Sequence, residues 1–242
     1  MLSVLSLISE FNAHPSRAGM AQALCTELTE VLSDAIRARG HASLAVSGGS
    51  TPKALYELLA QQPLDWNKVM VVLVDDRWVD PGMAGSNETF VRNALLQGPA
   101  ASAGFVGLKT AAATPAEGCV EAAERLSSVA RPFDAVLLGL GTDGHTASWF
   151  PHAAGLEVAL SPEGAPVAAI KARASQVTGP FTERITLTRS AFSGARHVYV
   201  MIAGEDKREA WKTAQGPGLV EDMPVRALIR DPEFELIAHW SP

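Results

Sequence analysis

The sequence alternates short apolar runs with longer segments in which apolar residues recur at helical spacing. Four of these runs are too short for typical helices and are bounded by polar or turn-forming residues, so they predict buried strands. Strands that alternate with helices predict an α/β fold with a mainly parallel sheet. The four predicted strands are residues 42–46, 69–74, 133–140 and 197–203.

Start and stop signals mark the helices between these strands. Pro15 or Ser16 opens the first helix and Gly40 closes it, because these residue types suit a helix start and a left-handed helix end. Pro52 opens a second helix that reaches about residue 61. Further helices are predicted at residues 86–95, 114–126 and 205–214.

The two cysteines bear on compartment and on metal binding. Cys25 falls in the first predicted helix and Cys119 in the helix at residues 114–126. Their separation, without the Cys/His spacing of a zinc site, predicts free buried thiols in a reducing cytoplasm. In the helix that carries Cys119, Val120 and Leu126 are expected on the buried face.

The rest of the chain shows a weaker pattern. Short strands at residues 167–170 and 184–187 predict a small antiparallel or mixed β annex, and residues 235–240 predict a late edge strand. There is no internal repeat, and no linker rich in Gly, Ser or Pro divides the chain. We therefore expect a single domain over residues 1–242.

Charge and hydropathy exclude two classes of partner. The 20 Lys and Arg residues against 26 Asp and Glu give a net charge of −6, whereas a nucleic-acid-binding domain carries a basic excess. No apolar run approaches the roughly 20 residues that cross a bilayer. Residues 1–10 are apolar but lack a leading Lys or Arg, so they make a poor signal peptide. We expect no nucleic acid, no membrane and a cytoplasmic protein that is a monomer rather than an oligomer.

Three polar segments follow predicted strands, at residues 47–51, 75–77 and 141–145. In open α/β sheets, ligands bind in the crevice beyond the carboxyl ends of the strands. Segments of Gly, Ser, Asp, Arg and His at three such ends therefore predict one shared site. Taken singly, each segment is also compatible with an ordinary turn.

The first of these segments has the composition of a phosphate-binding loop. Two glycines let the backbone approach a ligand, and the helix start that follows adds partial positive charge. The segment is not a Walker A loop, because no G-x-x-x-x-G-K-[ST] pattern is present. The residues predicted to bind phosphate are Ser47, Gly48, Gly49, Ser50 and Thr51.

His145 is the candidate general base, because its unperturbed pKa near 6.5 suits proton transfer at neutral pH. Asp143, two residues earlier, is a candidate to orient the ring. Residues 139–144 match G-x-G-x-x-G, but Pro151 leaves little room for the helix that a dinucleotide site requires. At the other strand ends, Arg77 and Lys207 are candidates to bind an anion.

These segments together resemble the 6-phosphogluconolactonase family. The order and spacing fit from about residue 10 to the C-terminus, and the combination is far more specific than any single motif. The segments that carry the resemblance are S-G-G-S-T-P at 47–52, D-D-R-W-V at 75–79, S-N at 86–87, G-L-G-T-D-G-H-T-A-S at 139–148, F-P at 150–151, R-I-T-L-T at 184–188 and G-E-D-K at 204–207.

The resemblance implies a Rossmann-like α/β sandwich of the kind shared with glucosamine-6-phosphate deaminase and ribose-5-phosphate isomerase. It implies hydrolysis of 6-phospho-D-glucono-1,5-lactone to 6-phosphogluconate in the oxidative pentose phosphate pathway, without metal or organic cofactor. The loop at residues 47–51, Arg77 and Lys207 would hold the 6-phosphate, with Arg184 as a further candidate. His145 would activate a water molecule. Either Asp143 or Asp75 would orient the imidazole or that water.

Two alternative functions share these motifs. Glucosamine-6-phosphate deaminases have a catalytic Glu where this chain has Phe150, and a Tyr where it has Arg77, and both differences favour the lactonase. A non-catalytic sugar-phosphate sensor on the same fold would be expected to lose His145 or to gain a DNA-binding segment. Trp149 stands where the family more often has Leu, which predicts a change in the pocket wall.

Overall fold

A computed structural model of the protein describes residues 10–242, so the expectation for the first nine residues lies outside it. Its centre is a seven-stranded parallel sheet of order β1-β10-β9-β6-β2-β3-β5. This sheet confirms the predicted α/β class. Its strands are β1 (Glu10–Ala13), β2 (Ala42–Val46), β3 (Val69–Leu73), β5 (Gly104–Val106), β6 (Ala135–Gly139), β9 (Val198–Ala203) and β10 (Leu236–Ser241).

A second, antiparallel sheet of order β4-β8-β7 confirms the predicted annex. It consists of β4 (Asp75–Arg77), β7 (Val167–Lys171) and β8 (Glu183–Leu187). β4 begins two residues after β3 ends. The polar segment predicted to follow the strand at residues 69–74 is therefore itself a strand, and it carries the chain from one sheet to the other.

The helices cover both sheets. α1 contacts β2, β6 and β10, α7 contacts β9, and α4 packs on β7 and β8. Among residues 10–242, no helix is long and apolar enough to cross a bilayer. The helices are α1 (Arg17–Arg39), α2 (Lys53–Leu59), α3 (Asn87–Ala94), α4 (Pro115–Leu126), α5 (Leu156–Leu160), α6 (Arg189–Phe192), α7 (Glu205–Gln215) and α8 (Arg226–Ile229).

The predicted helix ends are confirmed by the capping contacts. The Ser16 hydroxyl accepts a hydrogen bond from the N–H of Gly19, and Gly40 ends α1 in the left-handed conformation with φ of 80°. Ser86 caps α3 in the same way as Ser16 caps α1. Thr114 forms a capping box with Glu117 at the start of α4, which satisfies two backbone groups reciprocally.

Three sequence predictions are wrong in detail. The last strand, β10, is not at an edge, because β1 pairs on its outer side. Val120 points to solvent with 69% of its surface exposed, because α4 turns the face of Gly118, Ala122 and Leu126 inward. Cys119 is only half-buried, whereas Cys25 is buried, and both thiols are free.

The strand order places a topological switch point between β2 and β6. From β2 the chain proceeds outward through β3 to β5, and from β6 it proceeds the other way through β9 to β10. The loops after β2 and β6 therefore diverge at neighbouring strand ends and leave a crevice between them. The two predicted site segments that follow these strands, at residues 47–51 and 141–145, flank this crevice.

Candidate active site

A cavity of about 250 Å³ lies at the carboxyl ends of the strands, and all three predicted polar segments contribute to it. Asn87, which the sequence reasoning did not select as a site residue, also lines it. Asp143 lies behind His145 and does not line the cavity. The predicted residues that do so are Ser47, Gly48, Gly49, Ser50, Thr51, Asp75, Arg77, His145, Arg184 and Lys207.

The loop at residues 47–51 is anchored to the sheet at its first residue. The Ser47 hydroxyl donates to the Leu137 carbonyl across the strand pair at 3.0 Å, and the Tyr56 hydroxyl donates to the Ser47 carbonyl at 2.6 Å. The hydroxyl and the carbonyl of Ser47 therefore both anchor the loop to the rest of the fold. Among residues 10–242, the backbone N–H groups of Gly48 through Thr51 donate no hydrogen bond, so they remain free for an anion.

The two glycines of this loop are required for different structural reasons. A Cβ at Gly48 would overlap the side-chain amide of Asn87, so only glycine permits the loop and α3 to approach this closely. Gly49 adopts a φ of 95°, which is unfavourable for other residues. The close approach at Gly48 is what brings Asn87 to the cavity.

Asp76 fixes the start of α3, which carries Asn87. Its carboxylate accepts hydrogen bonds from the backbone N–H groups of Arg77, Asn87 and Glu88 at 2.7 to 3.1 Å. Burial raises the pKa of Asp76 and the nearby Asp75 adds to this effect, while the hydrogen bonds oppose it, so that the pKa is raised to about 7. Asp76 is fully buried, so it does not reach the cavity itself but holds the start of α3 beside it.

Asp75 lines the cavity but does not bind the imidazole. Its carboxylate accepts a hydrogen bond from the Ser148 hydroxyl, and its backbone carbonyl accepts one from the Asn87 side chain at 3.0 Å. Asp75 thereby ties the segment after β3 to the turn that carries His145. Of the two aspartates that the sequence left as alternatives, Asp143 is the one in contact with the ring.

The hydrogen bond between Asp143 Oδ1 and His145 Nδ1 is 2.6 Å long. Burial by itself raises the pKa of Asp143, but the hydrogen bonds and charge of His145 outweigh it and leave the pKa of Asp143 lowered. A Cβ at Gly141 would overlap both side chains, so this glycine makes room for the pair. With the Nδ1 proton held by Asp143, Nε2 is left as the acceptor nitrogen.

Two arginines face the cavity from the small sheet. Arg77 and Arg184 are direct cross-strand partners, so their side chains leave the same face of the sheet. Burial lowers the pKa of Arg184 to about 10; the charge of Asp75 opposes this change and the charge of Arg77 contributes to it. The guanidinium group of Arg184 therefore stays charged at neutral pH.

Each arginine also holds a loop. Arg77 Nη1 donates to the Gly85 carbonyl at 2.6 Å, and Arg184 donates to the carbonyls of Phe181 and Thr178 at 2.6 and 2.9 Å. Within the described part of the chain, the buried Nε of Arg77 has no hydrogen-bond partner. An unpaired buried donor beside the cavity favours an anionic ligand.

Lys207 completes the positive lining from the start of α7. Burial lowers its pKa, with a smaller contribution from Arg17, while Asp206 and Asp143 oppose the change. Trp149, in contrast, does not form part of the cavity wall as the sequence suggested. It is fully buried against Phe192 and donates its indole N–H to the Leu187 carbonyl at 2.9 Å.

The described residues contain no group of three His, Cys, Asp or Glu side chains placed to hold a metal ion. The G-x-G-x-x-G segment forms the end of β6 and the His145 turn, and the next helix, α5, begins only at Leu156. What the arrangement offers is one anion-binding surface and one His–Asp pair across a shared cavity. Sequence reasoning missed Asn87 and Tyr56, because their roles depend on loops that meet only in the folded chain.

A parallel sheet with its ligand crevice at the switch point defines the class of Rossmann-like α/β proteins with a small-molecule site. The family model described as glucosamine-6-phosphate isomerases/6-phosphogluconolactonase matches residues 15–237. The chain belongs to this family.

Several proteins that are similar to this chain are named 6-phosphogluconolactonase. The 6-phosphogluconolactonase of Rhizobium meliloti is 43% identical over 223 residues, which are 92% of this chain and 94% of that protein. The 6-phosphogluconolactonase of Pseudomonas aeruginosa is 38% identical, over 94% of this chain and 92% of that one. The crystal structure of a 6-phosphogluconolactonase from Shewanella baltica superimposes with a TM-score of 0.91 at 40% identity, covering 97% of this chain and 98% of that one. A monomeric glucosamine-6-phosphate deaminase, at 16% identity and a TM-score of 0.76, shares the fold.

Proposed function

We propose that this protein is a carboxylic ester hydrolase that converts 6-phospho-D-glucono-1,5-lactone to 6-phosphogluconate. The observation that carries the proposal is the single cavity in which free loop N–H groups, two arginines and a lysine face the His145 side chain. The names of its relatives support the same substrate. No cofactor enters the proposed reaction.

The positive half of the cavity binds the 6-phosphate. The loop at residues 47–51 supplies backbone N–H groups and hydroxyls, while Arg77, Arg184 and Lys207 supply charge. Binding at this distant group fixes the sugar ring and brings its lactone carbonyl to His145. Much of the positioning therefore comes from a group that takes no part in the bond cleavage.

His145 provides the chemistry. Its Nε2 accepts a proton from a water molecule, and the resulting hydroxide attacks the C1 carbonyl. Asp143 holds the Nδ1 proton and stabilises the imidazolium that forms. When the tetrahedral intermediate collapses, the C1–ring oxygen bond breaks and the imidazolium returns its proton to the ring oxygen. The products are the free acid and a regenerated imidazole.

The test uses lactone generated in place from glucose 6-phosphate by its dehydrogenase, with the proton release of hydrolysis corrected for spontaneous opening. His145→Ala is expected to lower kcat by about 10²- to 10⁴-fold. His41→Ala is the matched control, because His41 is exposed, precedes β2 at the amino end of the strand and does not line the cavity.

Two outcomes would overturn parts of the proposal. A wild-type protein that binds the lactone without any rate above background is a sensor. A fully active His145→Ala variant would disprove the role of the imidazole as base.

Glucosamine 6-phosphate is offered in parallel as a substrate, and no ammonia release is expected, because Phe150 replaces the Glu of deaminases and does not line the cavity.

We further infer that the chain works as one domain and as a monomer in a reducing, cytoplasmic environment. The direct passage from β3 into β4 supports one domain, and the free thiols of Cys25 and Cys119 support the compartment. Analytical ultracentrifugation with and without 6-phosphogluconate tests the oligomeric state, and a dimer would contradict it.

A further inference from the structure

One aromatic ring lies behind the cavity and contacts both of its halves. The ring of Phe150 stacks on the imidazole of His145, with centroids 4.4 Å apart and planes inclined by 28°. The guanidinium carbon of Arg184 lies 5.1 Å from the centroid of the same ring. Phe150 is 3% exposed and does not line the cavity, so it contacts the candidate base and an anion-binding residue without reaching a ligand.

The imidazole of His145 needs more than one contact to keep its orientation. The hydrogen bond from Nδ1 to Asp143 fixes one edge of the ring, but rotation about that bond still moves Nε2. A flat aromatic face at stacking distance removes this freedom, because the imidazole can tilt only by losing the contact. Within residues 10–242, Nε2 has no hydrogen bond that would hold it instead.

Arg184 is held in a similar two-part way. Its Nε and Nη2 donate to the carbonyls of Phe181 and Thr178, which lie in the loop between β7 and β8. The ring of Phe150 supplies a cation–π contact from the other direction. The position of the guanidinium therefore depends on both the loop and the ring.

We propose that Phe150 is a positioning residue that sets the distance and orientation between the phosphate-binding Arg184 and the general base His145. The proposal rests on the proposed function, since it concerns how the same cavity aligns its substrate. An aliphatic side chain of similar volume would preserve the buried apolar contact but would offer no flat face to either neighbour. The sequence pattern alone gave Phe150 only a negative role, as a residue that cannot exchange protons.

The experiment compares Phe150→Leu with Phe133→Leu. Phe133 is also buried, but it precedes β6 at the amino end of the strand and does not line the cavity, so its substitution reports general loss of packing. Phe150→Leu is expected to lower kcat about tenfold and to raise KM about threefold, because a small misplacement of reacting groups is costly. Phe133→Leu is expected to leave both constants within about twofold in the folded protein.

A spectroscopic readout separates positioning from packing. The ¹⁵N shifts of the neutral His145 ring are expected to show the Nδ1–H form in the wild-type protein and a mixture of the two tautomers in Phe150→Leu. Inorganic phosphate serves as the probe of the other half, and its Kd is expected to rise about threefold in the same variant. If Phe150→Leu does not fold, Phe150→Met repeats the comparison, because its flexible side chain fills the space without a ring.

Unchanged kcat and tautomer in a folded Phe150 variant would overturn the proposal. Equal losses in the Phe150 and Phe133 variants, with the Nδ1–H form intact, would overturn it as well, since packing would then explain both. Failure of the proposed function is distinguishable, because a wild-type protein without lactonase activity still reports the His145 tautomer and the phosphate affinity. Those two measurements decide the positioning role independently of turnover.

Discussion

The two halves of the cavity are built on different plans. The positive half, which is proposed to bind the phosphate and is the anion-binding half, collects donors from four separate elements, namely the loop after β2, β4, β8 and α7. The half proposed to carry out hydrolysis, the hydrolytic half, depends on one imidazole on one turn, which hydrogen-bonds to a single carboxylate and stacks on Phe150. Loss of one donor leaves the first half with several others, whereas the second half has no substitute for its base. Binding is therefore expected to be tolerant of substitution and catalysis to be intolerant of it.

The sharpest test of this contrast is Asp143→Asn. The amide can either accept a hydrogen bond from Nδ1–H through its oxygen or donate its own N–H to Nδ1 and favour the wrong tautomer. We therefore expect kcat to fall by about 10²- to 10³-fold with KM within about threefold. Asp222→Asn is the matched control, because Asp222 bonds the exposed His152 at 3.0 Å on the protein surface. A kcat for Asp143→Asn near that of the control would mean that the imidazole of His145 does not depend on the Asp143 carboxylate.

The support beneath the anion-binding half should respond to pH. Because the pKa of Asp76 is raised to about 7 in the folded state, above the 3.9 expected when unfolded, its contribution to stability is present below about pH 4 and lost as pH rises through 7. Relative to Asp76→Asn, the wild-type free energy of unfolding is expected to fall by about 2–4 kcal/mol between pH 4 and pH 8.

Urea denaturation at a series of pH values measures this difference. Asp65→Asn serves as the control, because Asp65 is half-exposed and paired with Lys68 on the surface. A difference between wild type and Asp76→Asn that stays constant with pH, or that grows as pH rises, would contradict the raised pKa.

Gly48→Ala tests the close approach of the anion-binding loop to α3. The new Cβ would overlap the Asn87 amide, so the loop must shift, and KM is expected to rise about tenfold with a smaller change in kcat. Gly19→Ala on α1 is the control, since its Cβ would meet only ordinary contacts at 3.4 Å or more. An unchanged KM would show that the loop adapts without loss of its N–H groups.

The sequence identifies those parts of the molecule whose signals are local. All five residues of β2 are buried and four of them are apolar, so the strand can be recognised from its composition alone. β5 has only three residues, one of them glycine, and no pattern distinguishes it from a loop. The placement of β10 could not be predicted, because it depends on pairing with β1, more than 220 residues away in the chain.

The same division applies to the site. His145 and the glycine-rich loop carry their own sequence signals, and the structure brings them together as predicted. Asn87 and Phe150 act through contacts with residues distant in the chain or on the other side of a turn. Their side chains resemble those of ordinary helix and core positions until the neighbours are known. Which of Asp75 and Asp143 contacts the imidazole likewise depends on the fold.

The smallest effect is expected at Lys207, one donor among several. Lys207→Ala should raise KM about threefold at low salt, and the difference should shrink at higher ionic strength because long-range attraction is screened. Lys53→Ala is the control, because Lys53 is exposed on α2 and pairs with Glu57. A loss as large as that of Asp143→Asn would mean that the anion-binding half also depends on one residue.

The cross-strand pairing of Arg77 with Arg184 has a consequence for the lifetime of the protein. Two like charges held opposite each other repel, and an anion bound between them relieves that repulsion only in the folded chain. A ligand that binds the folded state alone shifts the folding equilibrium in its favour. The resistance of this protein to proteolysis should therefore increase with the concentration of phosphorylated sugars. The half-life of the protein is then longest when its ligands are abundant.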